Sequence, residues 1–204
     1  MIVNKMTTIF KPGIKKILHL FYEEKKPIHV RELSRKTKLE GQSIIRYIKI
    51  LEKNSLLQSK KQGNQKILNI KQNQEIFSIF ALFDTQKFEK LPRIKQQAIK
   101  TFINNLKKQP VFIILFGSTA KESYNKTSDI DLLIVSNEKI NTKNAEQEAN
   151  ALHAEKISTF QIKYEDFKTE LKLKQDKVIQ SALETGYPIW NRETYYETLK
   201  NERT

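Results

Sequence analysis

Two aspartates one residue apart, Asp129 and Asp131, open the apolar run Asp129-Ile130-Asp131-Leu132-Leu133-Ile134-Val135. In a strand, residues i and i+2 point to the same face, so the two carboxylates would project side by side. Such a pair repels itself unless a cation sits between the acids. The cheapest partner is a hard divalent ion such as Mg²⁺, which prefers oxygen ligands and shares them with substrate phosphates. Upstream, Gly117-Ser118 ends a second apolar run, Val111 to Phe116. Gly117 would let a phosphate approach the backbone. Ser118 would offer a hydroxyl and an amide at a helix N-terminus, where anions are favoured. The two features together predict a phosphate cradle beside a metal site.

The elements needed to position these groups can be read around them. Val111–Phe116 is β-branched and aromatic and predicts a buried strand. Thr119–Ser123 would begin a helix, Thr127-Ser128 a turn, and Asp129–Val135 a second strand. Gly117-Ser118, ten intervening residues and Asp129-Ile130-Asp131 resemble the G-S-x10-D-x-D pattern of the minimal nucleotidyltransferases of the DNA polymerase β superfamily. The flanking VFIILFGSTA and SDIDLLIV fit the same pattern, and the resemblance covers about residues 94–190. It implies transfer of a nucleoside monophosphate from an NTP to a hydroxyl or phosphate. It also implies two divalent ions, here Mg²⁺. Asp129 and Asp131 would be the catalytic metal ligands, and Gly117, Ser118 and Lys121 would bind the nucleotide. Antitoxins and toxins that modify a partner also occur within the family's range.

Two departures stand out. Family members often read GSxARG, where this chain has Lys121-Glu122 after Ala120, so Glu122 replaces a glycine. The family also carries a third carboxylate on a later strand. The best candidate strand, Ile157–Tyr164, has no acid. Thr159 and Gln161 lie where one is expected, Glu155 precedes the strand, and Glu165 and Asp166 follow it. Either the third acid is missing or a neighbour replaces it. A missing general base would slow catalysis by about 10²–10⁴-fold without abolishing nucleotide or metal binding.

The N-terminal half has a different character. Of the 204 residues, 1–110 hold 24 Lys+Arg against 8 Asp+Glu, and 111–204 hold 13 against 15, within a net charge of +14. A basic half would attract phosphate backbones through counterion release. The bland alternative is a lysine-rich solvated surface. Helical periodicity predicts helices over Gly13–Glu24, Val30–Thr37 (burying Val30 and Leu33) and Gln42–Asn54. The inward stripe of the third is Ile44, Ile45, Ile48 and Leu51. Two strand-like runs follow, Leu56–Lys60 and Lys66–Ile70, joined by a Gly63-Asn64 turn. The order over residues 12–71 resembles a winged helix-turn-helix. That resemblance implies double-stranded DNA as partner, with Gln42, Ser43, Arg46, Tyr47 and Lys49 facing it and Lys60, Lys61 and Lys66 on the wing. A winged helix used only for protein contact remains open.

Gln72–Lys90 predicts a helix apolar on more than one face, buried between elements or between the subunits of a homodimer. Pro92 starts a helix to about Lys108 with Ile94, Ala98, Phe102 and Leu106 inward. Further helices are expected at Lys143–Lys156 and Phe167–Thr185. Tyr187–Trp190 would be a short extended segment, and Arg192–Thr204 a polar helix or frayed end. The longest apolar run is far too short for a membrane span. With no cysteine, disulfides and thiolate metal sites are excluded, which fits a cytoplasmic protein. The expected class is α+β: a winged-helix domain with its connecting helix at residues 1–91, then a polymerase β-like domain with a small mixed sheet at 92–204. Two functions compete: a Mg²⁺-dependent nucleotidyltransferase, or a DNA-binding transcriptional regulator with a catalytically weak, nucleotide-sensing domain. An inactive dimerising scaffold is a third, weaker reading.

Overall fold

A computed structural model describes residues 11–63, 65–125 and 128–203 of the chain. It divides into two compact units, Met1–Phe83 and Asp84–Thr204. The expected turn residues Asn64 and Thr127 lie outside the described residues.

The first unit packs three helices and a small sheet. Helix α1 spans Pro12–Glu24, α2 Val30–Thr37 and α3 Gly41–Lys53. Pro12 at the first turn of α1 has no amide to leave unpaired. Lys25 and Lys38 end α1 and α2 in the left-handed conformation. Strand β1 (Ile28–His29) pairs antiparallel with β3 (Gln65–Ile70), which pairs with β2 (Leu57–Gln62). Ile14, Ile17, Leu18, Leu33, Ile44, Leu51 and Leu68 are almost wholly buried and form the core. Two expectations fail here. Ile45 is 54% exposed, because the buried stripe of α3 runs through Ile44, Ile48 and Leu51 and turns Ile45 outward. In α2, Thr37 is buried with Leu33 instead of Val30, and its hydroxyl donates to the Leu33 carbonyl at 2.7 Å.

Helix α4 (Gln74–Glu89) crosses the division between the units. In the second unit, α5 spans Arg93–Asn104, β4 Phe112–Phe116, α6 Gly117–Ala120 and β5 Ile130–Ser136. There follow α7 (Lys143–His153), β6 (Ile157–Lys163), α8 (Tyr164–Leu173), α9 (Lys177–Thr185), β7 (Tyr187–Trp190) and α10 (Arg192–Arg203). The four strands form one mixed sheet in the order β6-β5-β4-β7. Only β5 and β6 run parallel. Apolar side chains cover both faces. Ile113, Leu115, Ile130, Leu132, Ile134 and Ile157 share a cluster with Ala98, Ile99 and Phe102 of α5. On the other face Phe112, Ile114, Phe116, Leu133 and Val135 share one with Phe167, Leu171, Ile179 and Ala182.

Two local expectations are corrected in this unit and one is sharpened. In α5, Lys95 is buried and Ile94 is 46% exposed, so the inward stripe is Lys95, Ala98, Ile99 and Phe102. The helix expected over Phe167–Thr185 is two helices. Lys174 turns left-handed, and Asp176 restarts the chain as an N-cap accepting from the amides of Val178 and Ile179. Tyr187–Trp190 is a full member of the sheet, paired with β4.

Candidate active site

The site is built where β4 ends and β5 begins. The strands are antiparallel and Phe116 pairs directly with Asp131. Gly117 is therefore held against the first turn of chemistry-bearing residues on β5. Its φ is +69°, and a Cβ added to it would lie 2.1 Å from Asp131 Oδ2. Both facts demand glycine: the left-handed backbone disfavours a side chain, and the Asp131 carboxylate fills the space one would need. Ser118 follows, half-buried, in the short helix α6. Thr119 is buried, and its hydroxyl donates to the Asp129 carbonyl at 3.3 Å, tying the turn to the aspartates. Lys121 is exposed at the end of α6. Glu122 holds φ +57°, so the family's glycine is replaced where the backbone still takes a glycine-like conformation.

Asp129 and Asp131 feel each other. The Asp131 carboxyl is pushed above its ordinary range by burial and then by the charge of Asp129, with Lys156 pulling the other way. Lys156 donates to Asp129 Oδ2 at 2.7 Å, and that hydrogen bond raises the ammonium's own pKa. Sequence reading missed Lys156, because the register that brings it to Asp129 is set by the parallel pairing of β5 and β6. The Ile130 amide donates to the Lys156 carbonyl at 2.8 Å. Behind them Lys95, 4% exposed, donates to Glu155 Oε2 at 2.6 Å and stands over the Tyr124 ring.

Thr159 and Gln161 do not face this site. Asp131 pairs with Ser158, and Leu132 with Thr159, so the residues on the carboxylate face of β6 are Ser158 and Phe160. Thr159 bonds Glu146 of α7 at 2.7 Å, and Gln161 donates to the Ile140 carbonyl at 2.9 Å, both on the opposite face. Glu165 and Asp166 follow the far end of β6, where Lys163 pairs with Ser136. Glu155 is at the correct end but is held by Lys95. Among the described residues, no group of three or more His, Asp or Glu side chains is gathered as a metal cage.

The first unit places its expected contact residues as follows. Gln42, Arg46 and Lys49 are exposed on one face of α3, where they border a shallow groove with Ile45, Ile50 and Lys53. Ser43 and Tyr47 are half-buried. Tyr47 packs on Gly13, where an added Cβ would sit 2.3 Å from its ring, and the Arg46 guanidinium lies 5.3 Å from that ring's centre. Lys60 and Lys61 are exposed on β2. Lys61 pairs directly with Lys66, whose ammonium reaches Glu52 at 3.0 Å.

The second unit is thus a four-stranded mixed sheet presenting a carboxylate pair against a glycine turn. Residues 97–186 match the family model of the nucleotidyltransferase domain. The match supports the resemblance to the polymerase β superfamily and makes this part of the chain similar to a transferase domain. No curated protein and no solved structure matches the chain. Among the described residues, no helix is long and apolar enough to cross a membrane.

Proposed function

We propose that the second unit binds an NTP with Mg²⁺ and transfers its nucleoside monophosphate group to an acceptor hydroxyl or phosphate. The observation that carries this reading is the contact between Gly117 and Asp131. A phosphate cradled on Gly117 and Ser118 necessarily lies beside the carboxylate pair. The donors suit one hard divalent ion. Asp129 and Asp131 supply oxygen ligands whose mutual repulsion a cation would relieve, and Mg²⁺ is commonly held by one or two carboxylates plus substrate phosphates. A second ion fits poorly, since Ser158 and Phe160 take the face where a third carboxylate would share it.

When bound, the ion offsets charge on the phosphate oxygens. The chain's own groups do the rest. Gly117 and Ser118 seat the phosphates and Lys121 attracts them. The acceptor oxygen forms a bond to the α-phosphorus as that phosphorus loses its bond to the bridging oxygen, and pyrophosphate leaves. The acceptor's proton passes to water, because β6 offers no base on this face. Slow turnover is the consequence.

The test is incubation with Mg²⁺, labelled NTPs and a mixture of RNA and protein. The reading fails if no label is transferred by the wild type and Asp129→Asn leaves NTP binding unchanged.

A second reading concerns the first unit. The order of three helices and an antiparallel hairpin supports a winged helix-turn-helix, and the exposed row Gln42, Arg46 and Lys49 supports contact with double-stranded DNA. Ser43 and Tyr47 would border that contact, and Lys60 and Lys61 would touch backbone. A regulator that senses nucleotide is favoured by Ser158 standing where a base would be needed. Arg46→Ala with Lys49→Ala should lower the salt slope of duplex binding by about 2, at roughly 0.9 per phosphate contact. An unchanged slope rules out this face.

A further inference from the structure

We infer that Lys156 is a nucleotide-phosphate-binding residue, whose ammonium supplies at the carboxylate pair part of the positive charge that a second divalent ion would bring. The inference rests on the nucleotide reading of this site and names a residue that the motif does not contain.

The geometry is specific. Lys156 Nζ lies 2.7 Å from Asp129 Oδ2, and the charge of Asp131 also acts on it. Its backbone is pinned at that place. Its carbonyl accepts from Ile130 at 2.8 Å. The preceding residue, Glu155, is held at 2.6 Å by the buried Lys95, which also reaches the Ser128 carbonyl at 3.5 Å. The strand starts of β5 and β6 are therefore clamped together, and the Lys156 side chain works over the aspartates.

The fold does not need this lysine. Its side chain is 70% exposed, and ion pairs so open to water contribute little to stability. An ammonium has three donors, and Asp129 takes one of them. The others are open toward any anion brought to the pair. A triphosphate carries more negative charge than one divalent ion offsets, and the face of β6 beside Asp131 carries Ser158 and Phe160 in place of an acid to hold another ion. An ammonium already seated at Asp129 meets that need without a metal ligand. It also competes with the ion for Asp129. Lys156 should therefore oppose Mg²⁺ binding in the nucleotide-free chain and favour nucleotide binding, two effects of opposite sign that a structural role would not produce.

The test uses the full chain, with ATP, GTP, CTP and UTP titrated in turn, in EDTA and in Mg²⁺, for wild type, Lys156→Ala and Lys156→Arg. Mg²⁺ is titrated separately into each protein without nucleotide. The expected result is that Lys156→Ala weakens NTP binding in EDTA about tenfold, the scale of one charge-assisted hydrogen bond in a partly exposed site. The same variant binds Mg²⁺ more tightly than wild type, and Lys156→Arg keeps most of the nucleotide affinity. Unchanged NTP affinity in EDTA, or weaker binding of both NTP and Mg²⁺, overturns the role of Lys156 and leaves the nucleotide site standing. Failure of the wild type to bind any of the four NTPs in Mg²⁺ instead removes the nucleotide reading itself.

Discussion

Gly117→Ala is the sharpest probe of the site, because two separate reasons for glycine meet at one residue. The first is the backbone at φ +69°, a left-handed conformation that costs a residue with a Cβ about 1–2 kcal/mol. The second is contact. The new Cβ would stand 2.1 Å from Asp131 Oδ2 and 3.0 Å from its Cγ, where ordinary contacts begin near 3.4 Å, so the carboxylate must retreat by about 1.3 Å. Asp131 is half-buried on β5, and moving it off its rotamer costs on the order of 1 kcal/mol or more. A stiffer unfolded chain returns about 0.4–1 kcal/mol. The net loss should be about 1–3 kcal/mol, read by urea denaturation, with Mg²⁺ and NTP binding lost together. The decisive measurement is the double variant Gly117→Ala/Asp131→Ala. It removes the clash and keeps the backbone strain, so the cost of Gly117→Ala in that background should fall to about 1 kcal/mol. Gly186→Ala is the control. Its Cβ would meet the backbone carbonyls of Ala182 and Leu115 at 2.5 and 2.7 Å, so it should lose stability whether or not Asp131 is present. An identical cost for Gly117→Ala in both backgrounds would refute the claim that Asp131 selects this glycine.

Other substitutions probe the surroundings. Asp131→Asn should raise Tm at neutral pH in EDTA. The folded-state pKa of Asp131 lies above its ordinary value of 3.8, so its contribution is most favourable below that value and is lost as pH rises through the raised one. The gain should vanish in acid, and Mg²⁺ should stabilise the wild type more than the variant; a gain that persists below the ordinary value contradicts this account. Lys95→Met strands Glu155 in a partly buried place and should cost about 2–4 kcal/mol, somewhat less than breaking a fully buried pair. Lys95→Met/Glu155→Leu should recover much of that, and no recovery would mean the ion pair is not the reason Lys95 is inside. Glu122→Gly relieves a left-handed residue and should gain about 0.5–1 kcal/mol in denaturation; a loss would mean the carboxylate makes a favourable interaction there. Ser158→Asp adds an acid beside Asp131 on the same face, so Mg²⁺ affinity by calorimetry and label transfer should both rise. Unchanged Mg²⁺ affinity would show that the residue pairing places no third ligand.

The centre of the second unit is legible in the amino-acid sequence. The apolar runs at Val111–Phe116 and Ile130–Val135 are buried almost throughout, and such strands announce themselves by composition. The motif names Gly117, but for a phosphate's approach; that the Asp131 carboxylate fills the space of a side chain there follows from the pairing of β4 with β5. The expectations that fail share a cause. Position along β6 alone points to Thr159 and Gln161, yet a strand's partner register is fixed by the other strand, and a slip of one residue exchanges the faces. The same limit hides Lys156. Apolar character alone places Ile45 and Ile94 inward, but each lies just beside a buried stripe, and helix geometry decides which side it takes. The inward spacing of Lys95 with Ala98, Ile99 and Phe102 is a signal that could have found it. A buried lysine is rare without a partner, and nothing in the local sequence points to Glu155, sixty residues away.

The choice between an enzyme and a sensor turns on how charge is balanced at one end of the sheet. Burial first, and the charge of Asp129 second, hold the Asp131 carboxyl above its ordinary range, so an ionised pair is costly without a cation. A third acid on β6 would make the unliganded site more costly still, and would offset that only by holding another ion. This chain has Ser158 at that place and a lysine on Asp129. On the proposed reading, both features lower the repulsion of the empty site and weaken its grip on metal. A site arranged in this way can retain nucleotide binding while giving up rate, because the phosphates need positive charge but only the transferring step needs a base. Binding and turnover should therefore separate on mutation: Lys156 governs the first, position 158 the second, and Asp129 and Asp131 govern both.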